Sequence, residues 1–398
     1  MKISQRGIDM PASPIRRLAP FANKAKERGI KVYHLNIGDP DVPTPKEIFE
    51  GIKNFKEKVL PYGPSEGLPV LRNAIAEYFK RYEIDISPEN VFITTGGSEA
   101  ILFSLLSICD YGDEIIIPEP FYTNYLGFAK MIGVNIVPLT LKVEDNFHIK
   151  EPEIIKHYIT KKTKGILICS PNNPTGTVYT RNEIKKIIEI ALEYDLYVIA
   201  DEVYREFTFD GKKHTSVLQF PEASERVIVT DSISKRFSSC GARIGFIVTK
   251  NRDIWNTVLK FGQARLCPPT IEQYGAAEGF KKMDKFMNEI VKEYEKRRDV
   301  VIEELKKIEG VFCLKPEGAF YNIVKLPVKD SEEFIKWMLT DFNVDGKTTM
   351  LAPASGFYST PNTGLDEVRI AYVLNEKDLR DAIRILKLGL EKYGKIKG

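Results

Sequence analysis

Between residues 91 and 249 the chain carries seven short runs of apolar, largely β-branched residues: VFITT (91–95), EIIIP (114–118), NIVPL (135–139), GILIC (165–169), LYVIA (196–200), RVIVT (226–230) and GFIVT (245–249). Each ends in turn-forming residues, and none alternates apolar with polar positions. Runs of this length without alternation are expected of strands covered on both faces. Helical periodicity lies between several of them, in SEAILFSLLSI from Ser98 and in RNEIKKIIEIALEY, which Thr180 precedes as a natural N-cap. Strands alternating with helices predict an α/β fold: a three-layer large domain on a mainly parallel seven-stranded sheet.

The pattern then changes. An amphipathic stretch from Lys281 to Ile308, free of Pro and Gly, reads as one long helix. GVFCLKPEGAFYNIVKLP reads as two antiparallel strands joined at Pro-Glu-Gly. The helix SEEFIKWMLTDF, the strand DEVRIAYVL and the helix EKDLRDAIRILKLGLEKY follow. These predict a smaller α+β domain. The Pro-punctuated N-terminal helix PASPIRRLAPFANKAKERG has no sheet of its own and is expected to pack on that domain or on a partner subunit. The expected boundaries are 46–290 for the large domain, with 1–45 and 291–398 forming the small one.

Composition narrows the function. The 398 residues include 58 Lys plus Arg and 55 Asp plus Glu, a formal net charge of +3, which disfavours a strongly basic nucleic-acid binder. No stretch approaches the ~20 apolar residues of a membrane span, and the N-terminus has no secretory h-region. Five scattered cysteines without C-x-x-C, and four isolated histidines, point to a reducing cytoplasm and to no metal site.

In open parallel sheets, ligands bind beyond the carboxyl ends of the strands. Polar residues cluster there: Gly96-Gly97-Ser98 opening a helix, an anion cradle; the aromatic-rich segment Glu119-Pro120-Phe121-Tyr122-Thr123-Asn124-Tyr125; the rigid turn Pro171-Asn172-Asn173-Pro174; Asp201 after five apolar residues, costly to bury without a cation or a donor; Tyr204; and Ser232-Ile233-Ser234-Lys235, whose lysine is a candidate nucleophilic amine of lowered pKa. A cradle, a stacking ring, a buried acid, a phenol, an amide and an amine suit pyridoxal phosphate.

With the motifs LNIGDPDVPTP, YGPSEGLPVLRNAIAEY, GGSEA, PEPFYTNY, SPNNPTG, DEVY, SISKRFSSCGARIG and VRIAYV in that order, the sequence resembles the class I/II pyridoxal-phosphate aminotransferases of fold type I over nearly its whole length. The resemblance implies that Lys235 is the lysine linked to the cofactor. It makes Asp201 the partner of the ring nitrogen, and Tyr204 and Asn173 the partners of the ring phenolate oxygen. Gly97, Ser98, Ser232 and Arg243 take phosphate-side positions, and Tyr122 the stacking position. It makes Gly38, Asn173 and Arg369 binders of the substrate carboxylate. Tyr62 matches a tyrosine that reaches the phosphate of the other subunit, implying a homodimer with shared sites. Gly241-Ala242-Arg243 departs from the bulky residue often found before the phosphate arginine.

The implied activity is transfer of an amino group from an L-amino acid to a 2-oxo acid by a ping-pong mechanism, with aspartate and 2-oxoglutarate the favoured pair. Arg265, from this chain or from the neighbouring subunit, is the first candidate for a distal substrate carboxylate, with Arg16 and Arg17 as others. Aromatic or alanine aminotransferases and a pyridoxal-phosphate lyase remain alternatives. Ser232-Ile233-Ser234-Lys235 also spells the S-x-x-K of acyl-transfer enzymes, but their S-D-N and K-T-G partners are missing.

Overall fold

The computed structural model describes residues 2–397. The seven runs form one seven-stranded sheet in the spatial order Val91–Thr94, Gly245–Val248, Val227–Ser232, Tyr197–Asp201, Thr163–Cys169, Glu114–Glu119, Asn135–Thr140. The Gly245–Val248 strand is antiparallel to both neighbours, and the other paired strands are parallel. Side chains divide between two cores with the two-residue period of a strand. Val91, Ile93, Ile116, Ile166, Ile168, Val198, Val227, Val229 and Val248 face one. Phe92, Ile115, Ile117, Leu167, Ile199, Ile228 and Ile247 face the other. The first face is covered by helices Pro69–Lys80, Arg181–Glu193 and Thr270–Lys282, the second by Gly96–Ile108, Asn124–Ile132 and Arg252–Arg265. The Asn135–Thr140 strand differs from the expectation: at the sheet edge it is partly exposed rather than buried on both sides.

Thr180 caps its helix as read, its hydroxyl accepting from the Glu183 amide while Glu183 answers with its own side chain. The helix after Thr95 begins at Gly96 rather than Ser98. The expected long helix from Lys281 to Ile308 is corrected to two helices, Thr270–Lys282 and Met287–Leu305, parted by a short 3₁₀ turn at Met283–Lys285. Phe286 leaves helical geometry there to pack on Phe237, ring centroids 5.8 Å apart.

The C-terminal part forms two small sheets. Lys31–His34 pairs parallel with Lys347–Met350, and Glu367–Ala371 lies between Tyr321–Lys325 and Ala352–Pro353. The expected hairpin around Pro316-Glu317-Gly318 is corrected to the single strand Tyr321–Lys325 plus one bridge from Phe312 to Lys325. Its turn residues bond instead to the loop after Cys169, Gly318 N–H to Gly176 O at 2.8 Å. Helix Ala19–Glu27 packs on helix Ser331–Thr340, and Arg28 donates to the carbonyls of Leu339 and Thr340. Among the described residues no helix is long and apolar enough to cross a membrane.

Candidate active site

A cavity of about 510 Å³ opens beyond the strand ends. Gly38, Gly97, Ser98, Tyr122, Asn173, Asp201, Tyr204, Ser232, Lys235, Arg243 and Arg369, eleven of the residues singled out from the sequence, line it together with Arg16. The sheet explains the convergence. Parallel strands end at Asp201 and Ser232 on one edge, and the antiparallel strand beginning at Gly245 brings Arg243 to that same edge.

At one end lies a cradle of donors. Gly96 (φ +77°) opens its helix against Arg243, and a Cβ there would lie 2.1 Å from the guanidinium. Only glycine lets the helix N-terminus and the arginine share that space. Ser232 and Ser234 hydroxyls are linked at 2.8 Å. Arg243, itself at φ +52°, donates to Cys240 O at 2.8 Å and forms no ion pair among the described residues. Amides at a helix start, hydroxyls and an unpaired guanidinium fit a phosphate.

In the middle, the buried Asp201 carboxylate accepts from Tyr125 Oη at 2.7 Å and from Val203 N–H at 3.3 Å. Burial pushes its pKa up to about 6, and no cation pairs with it among the described residues. A cationic ring nitrogen would satisfy it. Lys235 Nζ donates to Gly38 O at 2.6 Å and lies 3.5 Å from Cys240 Sγ. Burial favours the neutral amine, but Tyr321, Cys240 and Tyr122 outweigh it, so the free lysine sits above its ordinary value. This corrects the expected lowering. Lys235 and Asp201 are held from behind by buried ion pairs: Arg236 with Asp231 and with Glu206, each at 2.8 Å, and Arg205 with Glu202. Removing one partner of such a pair typically costs about 3–5 kcal/mol.

At the far end Arg369, 1% exposed, donates to Asn173 Oδ1 at 3.0 Å and to Asn36 O at 2.5 Å. Its Nε has no partner, and it forms no ion pair among the described residues. Its guanidinium lies 4.5 Å from the Tyr321 ring and 4.8 Å from that of Phe357, and burial lowers its pKa. A fully buried cation without a counter-charge is costly unless a ligand anion completes it.

Three predicted residues stand apart. Tyr62 is 79% exposed and does not line the cavity of its own chain. Arg17 pairs with Glu332. Arg265, expected to border the site of its own chain or of a partner, does not line the cavity of its own chain: it pairs with Glu99 at 3.2 Å and donates to the carbonyls of Ile93 and Leu266. Glu99 also caps its own helix at Thr95 N–H, so the pair braces the start of the cradle helix.

The sequence gives no site signal for Tyr321 or Cys240, and shows Tyr125 only as one aromatic of a strand-end segment. Tyr321 Oη meets Tyr204 Oη at 2.9 Å, and a Cβ on Gly38 would lie 1.8 Å from it, which is why residue 38 is glycine. Tyr125 was within reach of sequence reasoning, since PEPFYTNY offers two tyrosines beside Tyr122's strand end. Only the fold tells which faces the cavity and which backs Asp201.

The family model for aminotransferase class I and II matches residues 30–386. An aspartate aminotransferase of Bacillus subtilis is 33% identical, over 99% of this chain and 100% of that protein. Among solved structures, a double mutant of Thermus thermophilus aspartate aminotransferase superposes with a TM-score of 0.90 at 27% identity, covering 98% of this chain and 100% of that one. Alanine aminotransferase from Pyrococcus furiosus does so with 0.89 at 31%, at the same coverage. With the strand-end lysine, the buried aspartate and the unpaired arginine in one cavity, and with relatives matching from end to end, the chain belongs to the class I and II aminotransferases.

Proposed function

We propose that the chain binds pyridoxal 5′-phosphate and moves an amino group from an L-amino acid to a 2-oxo acid by a ping-pong mechanism, with aspartate and 2-oxoglutarate as the pair. One observation carries this reading: Lys235, Asp201, Arg243 and Arg369, four charges without counter-charges among the described residues, face one cavity. The fit is specific. Gly97, Ser98, Ser232 and Arg243 would take the phosphate, Tyr122 the ring face, Asp201 the ring nitrogen, Tyr204 and Asn173 the ring oxygen, and Lys235 the aldehyde carbon. Bound there, the cofactor supplies an electron sink that makes the substrate Cα–H bond acidic.

The chain does the rest. Asp201 keeps positive charge at the ring nitrogen, in surroundings where a carboxylate acts at low dielectric. Arg369 offers Nε and a terminal nitrogen to the α-carboxylate, a planar fork that a lysine lacks. That contact fixes which substituent of Cα points at Lys235. Lys235 Nζ then takes the proton from Cα and returns it on the cofactor side, base first and acid second. Tyr321 and Tyr204 share one hydrogen bond, so one phenolic proton remains free to face the ring oxygen.

Substrate choice turns on a second cation. Arg16 lines the cavity and forms no ion pair among the described residues, whereas Arg17 and Arg265 already hold carboxylates. Arg16 therefore supports the dicarboxylic reading best within one chain. A homodimer in the cytoplasm completes the proposal. Exposed Val59, Leu60, Tyr62 and Leu266 offer apolar surface for a second copy, and all five cysteines are free. The test is a screen of twenty amino donors against 2-oxoglutarate, with the visible spectrum followed on each addition. Aspartate and glutamate should lead. A chain with no visible band that responds to amino acids overturns the reading, and a lead by alanine or phenylalanine overturns its dicarboxylic part.

A further inference from the structure

His148 lies outside the cavity, yet the structure commits it to an unusual place. It follows Asn146 (φ +51°) and Phe147 (φ +56°), two consecutive non-glycine residues in the left-handed region. Such residues are uncommon and persist where the surroundings over-determine them. Phe147 is buried in one apolar cluster with Ile323 and Phe357, and Asn146 O accepts from Thr177 Oγ1 at 2.8 Å. The loop thus delivers the imidazole to a fixed point.

There, both ring nitrogens meet carboxylates. Nδ1 lies 3.0 Å from Glu183 Oε2, and Nε2 lies 3.2 Å from Glu317 Oε2. A neutral imidazole has one N–H, so its other nitrogen would turn a lone pair toward a carboxylate oxygen. Only the imidazolium donates to both. The charged groups around it are Glu183 from the helix start, Glu317 from the Pro316–Gly318 turn, and Lys212, which holds Glu317 Oε1 at 2.6 Å. Those two carboxylates raise the His148 pKa to about 9 despite burial, and Glu317 is held well below the usual carboxylate range.

Each carboxylate is tied to a different part of the site. Glu183 caps the helix after the Asn172–Val178 loop, accepting from Thr180 and Ile149 N–H. Glu317 accepts from Val178 N–H at 3.1 Å, and both Glu317 and Gly318 N–H donate to Gly176 O. Gly176 leaves no slack, since a Cβ there would lie 2.5 Å from Pro316 and 2.7 Å from Tyr321 O. The loop carries Asn173 and the turn runs into Tyr321. Asn173 and Tyr321 are the residues that bond and stack on Arg369.

We propose that His148 is a cationic clasp that fastens the Pro316–Gly318 turn to the Asn172–Val178 loop and so holds the carboxylate-binding wall of Asn173, Tyr321 and Arg369 in register. It is a positioning residue, since it touches neither cofactor nor substrate positions. Its effect on turnover rests on the aminotransferase reading above, but its protonation does not. Opening the clasp should loosen substrate carboxylate binding more than it slows proton transfer at Lys235.

The experiment uses the holoenzyme with ¹³C-labelled histidine, of which the chain has four residues, so the His148 signal is the one lost in His148→Gln. Its midpoint should lie near pH 9 and should fall by at least one unit in Glu317→Gln. A midpoint at or below 7, or one unmoved in Glu317→Gln, overturns the clasp. In turnover, His148→Gln should raise KM for 2-oxoglutarate about five- to thirtyfold with kcat within about twofold. Wild-type KM should climb between pH 8 and 10, where 2-oxoglutarate itself does not titrate, and the variant's should stay flat. A variant KM equal to wild type overturns the positioning role even where the titration succeeds. A protein with no turnover of 2-oxoglutarate would refute the catalytic reading alone, leaving the titration to decide the clasp.

Discussion

Replacing Arg369 with lysine keeps the charge and removes the fork. In the wild type one terminal nitrogen holds Asn173, the other holds Asn36 O, and Nε is free. A carboxylate entering the cavity completes the guanidinium without disturbing either protein bond. An ammonium has three donors at one point and cannot keep both Asn contacts while taking a carboxylate edge-on. Loss of a desolvated, charge-assisted contact of this kind costs about 2–5 kcal/mol. At 1.4 kcal/mol per tenfold, kcat/KM for an amino acid should fall roughly 30- to 4,000-fold. The assay pairs an amino acid with the amine that lacks its α-carboxylate, alanine with ethylamine, each in a single half-turnover followed by cofactor absorbance. Arg369→Lys should depress alanine and barely change ethylamine. A second variant separates binding from folding. Arg369 has no acid partner to strand among the described residues, so Arg369→Met should not show the about 3–5 kcal/mol loss of a broken buried ion pair. Equal losses for alanine and ethylamine, or such a destabilisation in Arg369→Met, would refute the assignment of Arg369 to the carboxylate.

The remaining predictions test other parts of the site. Asp201 is raised to about 6 in the cofactor-free fold, above its unfolded value, so its ionisation costs stability at neutral pH, and that cost disappears as pH falls below about 4. Asp201→Asn, which cannot ionise, should therefore gain on the wild type by about 2–3 kcal/mol between pH 4 and pH 7 in denaturant titrations of the cofactor-free chains, while cutting turnover by orders of magnitude; a stability difference that does not change with pH, or a fully active variant, contradicts this. Arg16→Leu should lower kcat/KM for aspartate far more than for alanine, while Arg265→Leu should change both alike by disturbing Glu99; the reverse pattern would return the role to Arg265 acting from a partner subunit. Mixed dimers of Lys235→Ala and Tyr62→Phe subunits should regain activity that neither parent has. Proven exchange without recovery argues against a shared site.

Much of this was legible in the residues because burial on both faces leaves a strong trace. Ile115, Ile116 and Ile117 must satisfy two cores at once, so their run is apolar without alternation, and the polar residue that ends such a run stands out. Asp201 ends one such run directly, and Lys235 lies one turn beyond the end of another. The helix break near Met283 was not, since KKMDKF is compatible with a helix and the choice is made by Phe286 packing on Phe237. Tyr321 was hidden inside a strand pattern, where an aromatic residue is ordinary. Arg265 depends on contacts that only the fold reveals. Its place in the chain pointed toward the site, but Glu99, distant in sequence, takes its charge. His148 reads as an isolated histidine in the sequence, because its two carboxylate partners lie 35 and 169 positions away.

If the cavity holds a cofactor bonded to Lys235, borohydride reduction traps that bond. The purified protein, loaded with pyridoxal phosphate, is reduced, digested and mapped by mass spectrometry, beside a Lys235→Ala control. One pyridoxyl group should appear, on Lys235, and none at any site in the control. A pyridoxyl group on another lysine, or none on Lys235 in a protein that still transfers amino groups, would contradict that bond.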